Sequence, residues 1–248
     1  MSAFDPGSGT DAGSGPALRV DVLTLFPGIF ESPLRESLLG RAIHQRRIAV
    51  SIHDIRDHTH DRAHQVDDYS FGGGPGMVMK PEPIFEAVES LGPGEKRIIL
   101  LSAAGKRLDQ PLVNELSAEP WLVLICGRYE GVDERVITGL AAEEISIGDF
   151  VLAGGEVAAL VLLEAVSRRI RGVVGNEESL APESFETGIL DHPHYTRPRV
   201  FRGMEVPDVL LSGDHRRIAE WRRQAALDKT RKNRPDLLER PEASTAGG

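Results

Sequence analysis

A chain of 248 residues with 40% hydrophobic side chains can build a sizeable core, as one large domain or two small ones. Its 29 lysines and arginines against 38 acids leave a formal charge of −9, which excludes a protein that coats nucleic acid indiscriminately, because phosphate binding draws on clustered cations. A single cysteine, Cys126, excludes an intrachain disulfide and a multi-cysteine zinc site.

Residues 1–17 are rich in glycine and serine and read as a flexible tail without the apolar segment of a secretion signal. No run reaches the roughly 18 apolar residues of a membrane helix, so no membrane partner and a cytoplasmic location are expected. Short apolar strand patterns follow at 18–25, 48–55, 97–101, 121–126 and 143–147. Helical patterns lie between them at 27–44, 83–91 and 110–116, and a further one follows at 155–170. This alternation predicts an α/β domain over 18–170 with a largely parallel sheet, and it puts the ligand site in the loops leaving the strand C-termini. Residues 171–193 lack either periodicity and read as a linker. A second, small helical unit is expected over 194–248, its best helix at 214–229 and a short one starting near Pro235, with a disordered end. Between 214 and 240 nine lysines and arginines stand against five acids, so an acidic body carries a basic end. By pattern alone this reads first as a solvated helix with ordinary surface charge, and RNA contact is the alternative.

Three glycine-bearing loops follow the late strands, at 102–105, 126–131 and 147–155. Glycine there lets a backbone approach a ligand closely, although each loop by itself is an ordinary turn. The earlier FGGGPG at 71–76 lacks both the Gly-Lys-Ser/Thr ending and the preceding strand of a phosphate loop, which excludes that kind of nucleotide triphosphate site. Cys126 ends an apolar strand and reads as a small core residue without a chemical role.

Taken together, FPGIF at 26–30, THDRAHQVDD at 59–68, FGGGPGMVMKP at 71–81, CGRYEGVDERV at 126–136, SIGDFVLAGGE at 146–156, HYTRP at 194–198 and GMEVPDVLLSGDH at 203–215 resemble one family, the bacterial tRNA (guanine-N1)-methyltransferases. The resemblance spans about 18–239. It implies a SPOUT-type α/β domain whose parallel sheet is tied in a deep trefoil knot, a small all-helical C-terminal domain that grips tRNA, and a homodimer with the active site at the subunit interface. It also implies the reaction: methyl transfer from S-adenosylmethionine to N1 of the guanosine immediately 3′ of the anticodon, nucleotide 37, which supports reading-frame maintenance.

By position the resemblance assigns the donor to Leu101, Ser102, Gly105, Gly127, Tyr129, Ile147, Gly148, Asp149, Phe150, Val151, Leu152, Gly154 and Gly155, the apolar members flanking the adenine and the glycine loops offering amides to its edge. It puts the cation that stabilises charge on guanine O6 at Arg168. The base that takes the N1 proton falls at Glu183, where the family carries aspartate; the carboxylate and its basicity are kept while one methylene of reach is added. RNA contacts are expected at Asp67, Arg197, Arg216, Arg222 and Arg223, with Asp67 and Asp68 as candidates to hold the guanine or a metal. Mg2+ is admitted as a second cofactor, without an assigned ligand set. Two other readings stay open: a related knotted methyltransferase with another target nucleotide, and a non-catalytic RNA-binding protein.

Overall fold

The structure, a computed structural model, describes residues 15–175 and 183–239. Most of the expected N-terminal tail and residues 176–182 of the expected linker lie outside the described residues. The chain divides into two compact units, Met1–Gly175 and Asn176–Gly248.

The first unit is built on β1 (Leu18–Thr24), β2 (Ile48–Asp54), β3 (Asp67–Tyr69), β4 (Met77–Met79), β5 (Arg97–Arg107), β6 (Trp121–Cys126) and β7 (Glu143–Ser146). Its helices are α1 (Ser37–His44), α2 (Pro81–Ser90), α3 (Gln110–Ser117), α4 (Glu134–Leu140) and α5 (Glu156–Ser167). Five strands form one sheet in the order β2-β1-β6-β5-β7, every pairing parallel. Central strand β6 is buried at every position, and its residues alternate between two cores. Leu122, Leu124 and Cys126 join the cluster with α1, α3 and α5, and Trp121, Val123 and Ile125 join the cluster with α2 and α4. A strand covered on both faces reads as an unbroken apolar run, and WLVLIC does.

The sequence departs from its local structure in identifiable places. The helix expected over 27–44 is two 3-10 turns, Pro27–Phe30 and Pro33–Arg35, followed by α1. Pro33 has no N–H for a continuous helix, and Ser37 sits at φ 57°, so the chain restarts there. Strand β5 runs six residues past its expected end, with a register shift between Leu101 and Lys106 that lets both face Ile145 of β7. Helix α4 begins at an Asp133 cap that accepts from the Arg135 N–H. Of its seven residues only Val136 is buried, so the sequence shows no continuous apolar face there. Strands β3 and β4, three residues each, pair around the 71–76 glycine loop.

The second unit holds α6 (His215–Asn233), capped by Asp214, which accepts from the Arg216 and Arg217 N–H groups. A 3-10 turn at Pro235–Leu237 follows. The all-helical composition expected here needs correction, because Val200–Phe201 (β8) and Met204–Glu205 (β9) pair as a hairpin. Arg202 and Gly203 make its two-residue turn at φ 51° and 77°, the sign that such tight hairpins demand.

One buried carboxylate pins the far end of the sheet. Asp21 on β1 accepts from the Trp121 indole N–H at 2.7 Å and the Arg19 guanidinium at 2.7 Å, and lies 2.7 Å from His53 Nε2 on β2. Burial pushes its pKa up, but these three partners outweigh it and hold the carboxyl below its ordinary range. A depressed acid contributes stability that is present above its unfolded value and is lost as pH falls through its folded value. Asp21→Ala should cost about 1–3 kcal/mol by leaving the Trp121 N–H unmatched. Asp21→Asn should flatten the loss of stability below about pH 4. Urea melts of both variants across pH 3–7 check this, and an Asp21→Asn acid limb as steep as the parent's would remove Asp21 from it.

Candidate active site

The three late loops meet at the C-terminal edge of the sheet. Gly155 N–H donates to Gly127 O at 2.9 Å, and Arg128 and Gly154 form an antiparallel bridge, so the segments after β6 and before α5 lie side by side. The approach has no room for side chains: a Cβ on Gly155 would sit 2.8 Å from Cys126 Cα, and one on Gly154 would sit 2.2 Å from Arg128 Nε. On the other side, the loop after β6 is laced to β4, with Glu130 N–H donating to Met77 O and Met79 N–H to Gly131 O, both at 3.0 Å. Tyr129 takes φ 59° in that turn.

Between these loops lies a cleft of about 430 Å3, within the size range of small-molecule sites. Eleven of the thirteen residues assigned to the donor line it: Leu101, Ser102, Gly127, Tyr129, Ile147, Gly148, Phe150, Val151, Leu152, Gly154 and Gly155. Gly105 and Asp149 do not. Gly105 lies within the β5 bulge, where a Cβ would come within 2.4 Å of the Glu144 and Ile145 backbone, so it lets β5 and β7 close together. Ser146 Oγ donates to Gly148 O and accepts from Gly148 N–H, fixing the turn that carries Phe150. Phe150, Val151 and Leu152 are exposed apolar residues on the cleft wall, a surface that a ligand would cover.

Behind the cleft runs a polar chain that sequence reasoning missed. The Glu156 side chain, 1% exposed at the first position of α5, forms an ion pair with Arg128 at 3.1 Å and accepts from Thr24 Oγ1 at 2.9 Å. Thr24 Oγ1 in turn accepts from Phe26 N–H, and the Arg128 guanidinium lies over the Phe26 ring, 4.2 Å from its centroid. Thr24 and Glu156 are 132 residues apart, so no local pattern could have announced them. Cys126 is fully buried, and burial pushes its thiol well up, with the neighbouring Glu156 charge adding to it. A thiol so held has little thiolate, in keeping with its assignment to the core.

The remaining expected residues are distributed over both units. Arg168 is half-buried and caps the C-terminus of α5 in the first unit. Glu183, also half-buried, opens a turn of the second unit in which Glu186 N–H donates to Glu183 O and Phe185 N–H to Ile189 O. Asp67 and Asp68 are consecutive on β3, opposite Met79 and Val78, and strand alternation sends them to opposite faces. They therefore do not form a two-carboxylate metal site. In the second unit Arg197 and Arg222 line a cleft of about 490 Å3 together with Arg199 and the apolar Val206, Leu210 and Ile218. Arg216 and Arg223, seven residues apart on α6, are exposed.

Comparison with known proteins decides the kinship. The family model described as "tRNA (Guanine-1)-methyltransferase TrmD" matches residues 18–240. This chain belongs to that family. Among curated relatives named tRNA (guanine-N(1)-)-methyltransferase, one from Dehalococcoides mccartyi is 52% identical over 92% of this chain and 94% of its own. A second from Dictyoglomus turgidum is 52% identical over 90% of this chain and 91% of its own, and a third from Listeria monocytogenes is 47% identical over 89% and 92%. In this family member the motifs that converge on the cleft, 126–136 and 146–156, are those the sequence singles out.

Proposed function

We propose that the chain transfers a methyl group from S-adenosylmethionine to N1 of the guanosine immediately 3′ of the anticodon of tRNA. The observation that carries this reading is the cleft between the 101–104, 127–132 and 147–155 loops, in a chain of this family. Its residues suit the donor: apolar side chains for an adenine ring, glycines that bring backbone amides to its edge, and the acids Glu130, Glu134 and Glu144 near a cationic sulfonium.

The donor supplies a methyl group on a positively charged sulfur, which leaves as the neutral thioether with the pair of the broken C–S bond. The chain's own residues must then manage the guanine. Removing the N1 proton frees the nitrogen pair that forms the new N–C bond, and charge spreads meanwhile to O6. Glu183 takes that proton and Arg168 donates to O6; one such donor is worth ~10²–10³-fold in related oxyanion chemistry. No step passes through Mg2+. Asp67 and Asp68, the candidates for the guanine or a metal, are consecutive on a strand and point to opposite faces, so they do not hold one ion together.

In this reading the molecule works as a homodimer with the active site at the subunit interface. Supporting this, Val157 and Val161, one helical turn apart on α5, are left 53% and 44% exposed on a helix whose opposite side is core. A trefoil knot is proposed for the segments that bridge at Arg128 and Gly154, supported by the insertion of β5 between β6 and β7. The second unit would hold the tRNA through Arg197, Arg216, Arg222 and Arg223, in the cytoplasm, and Asp67 would approach the RNA from β3.

Gly154→Val should weaken S-adenosylmethionine at least ~10-fold by calorimetry, since its branched side chain would displace Arg128 and enter the cleft, a loss of about 1.4 kcal/mol. Parent affinity in a cooperatively melting variant would move the donor elsewhere. Arg222→Ala with Arg223→Ala should weaken tRNA binding and lower its salt slope by about 2, one for each lost phosphate contact, while donor affinity holds. An unchanged slope would return both arginines to solvent. Glu183→Gln should lower single-turnover methylation by ~10²–10⁴-fold with little change in tRNA or donor binding, and Glu183→Asp should retain activity. Methylation by the glutamine variant at the parent rate would discard Glu183 as base. Transfer to any other nucleotide would establish a different target, and no transfer by the parent protein would leave only RNA binding.

A further inference from the structure

The run Asp191-His192-Pro193-His194 in the second unit supplies no group to the methyl-transfer step described above. Asp191 Oδ1 lies 2.6 Å from His192 Nδ1, and its Oδ2 lies 2.7 Å from His194 Nε2. The two imidazole rings stand 4.4 Å apart between centroids at a 48° tilt. One ligand atom from each of the three residues falls within 4.8 Å of the others, and among the described residues no other group of three or more histidine, cysteine or carboxylate side chains converges this way.

The backbone beneath the group is held from several sides. Asp191 N–H donates to Ser184 Oγ at 2.9 Å, and Leu190 N–H donates to Thr230 Oγ1 at 3.0 Å. Thr230 is buried on α6 and donates to Ala226 O, so the segment is tied to the longest helix of the unit. The metal-binding atoms are thus gathered before any ion arrives, with Asp191 and His192 largely covered and His194 70% exposed on the open side.

We propose that Asp191, His192 and His194 bind a divalent transition metal of the zinc type. Two imidazole nitrogens and one carboxylate oxygen are the donor set such ions favour, whereas Mg2+ takes oxygen ligands and retains its waters. Ligand bonds of about 2.0–2.2 Å in a tetrahedron place donor atoms about 3.3 Å apart, so the pairs now at hydrogen-bond distance need to open by about 0.6 Å. Side-chain rotation of the exposed His194 and a small turn of His192 provide that. On binding, the metal takes the place of the hydrogen bonds that now join the imidazoles to the carboxylate, and each ring offers an unprotonated nitrogen while its N–H lies on the other ring nitrogen. Three protein ligands leave a fourth position open to water. His192 and His194 also line the second unit's cleft beside Arg197, Arg199 and Arg222, so an occupied site adds cationic charge to that wall. This assignment does not depend on the methyl-transfer reading.

The test uses untagged full-length protein, stripped with a chelator, dialysed, and titrated with Zn2+ alone in a calorimeter. The expected result is one zinc per chain in the parent, retained in His60→Ala, which removes an exposed histidine paired with Glu86. Binding should weaken at least ~100-fold in His192→Ala with His194→Ala, beyond the 10–100-fold loss usual when only a ligand's hydrogen-bond partner is removed. Should the double variant fail to melt cooperatively, Asp191→Asn is titrated in its place, with the same loss expected. Millimolar Mg2+ should not compete. Absence of zinc binding in the parent, parent-like binding in the folded variant, or displacement by Mg2+ would each overturn the site.

Discussion

A carboxylate taken out of water must be matched, and Glu156 is matched by groups from two other parts of the chain. Thr24 comes from the end of β1 and Arg128 from the loop after β6, while Glu156 itself starts α5. An unmatched charge at that depth would cost several kcal/mol. The three strand-end segments are therefore fixed relative to one another by one side chain. Arg128 is part of the cleft wall and is also stacked over Phe26, so the charge network behind the cleft sets the position of the surface in front of it.

That arrangement explains where small residues are obligatory. The hydrogen bond between Gly155 and Gly127 brings two backbones to a separation at which a Cβ on Gly155 would strike Cys126 Cα. Gly105 does the equivalent work between β5 and β7, outside the cleft. Gly105 therefore acts on the site from outside the cleft wall, by letting the adjacent strand close. Polar matching and backbone proximity act together here, since the Arg128 side chain occupies the space that a side chain at residue 154 would need.

Much of this architecture was legible in the residues. Buried parallel strands announce themselves as apolar runs, and all five were located from their runs, with ends that differ by at most two residues except at β5. There the pattern 102–107 is polar and glycine-bearing because the strand bulges as it passes β7, and a bulge has no period to read. Helix α4 escapes because only Val136 in it is buried, and the β3–β4 pair because three residues are fewer than a periodicity requires. The cleft residues were legible only through whole motifs, as each glycine loop alone is a turn. The Thr24–Glu156–Arg128 chain and the convergence of Asp191 with two histidines are not legible, since the first joins residues over a hundred positions apart and the second depends on the directions that neighbouring side chains take.

The proposed base poses a narrower physical question. A glutamate in place of aspartate changes the carboxylate's intrinsic basicity by about 0.4 pH units, far too little to alter how readily it accepts a proton. The difference lies in one further rotatable bond. Ordering a glutamate side chain costs up to about 1.5–2 kcal/mol of rotamer entropy, and misplacing a base by about 1 Å can cost ~10²-fold. Glu183 sits at the start of a turn closed by Phe185 N–H to Ile189 O and by Glu186 N–H to its own carbonyl, which settles its backbone while leaving the extra reach to the side chain. Within the proposed mechanism the longer residue is therefore a matter of alignment and not of acidity. Its cost falls on the methyl-transfer step, where the carboxylate must meet the N1 proton, and not on the binding of either substrate.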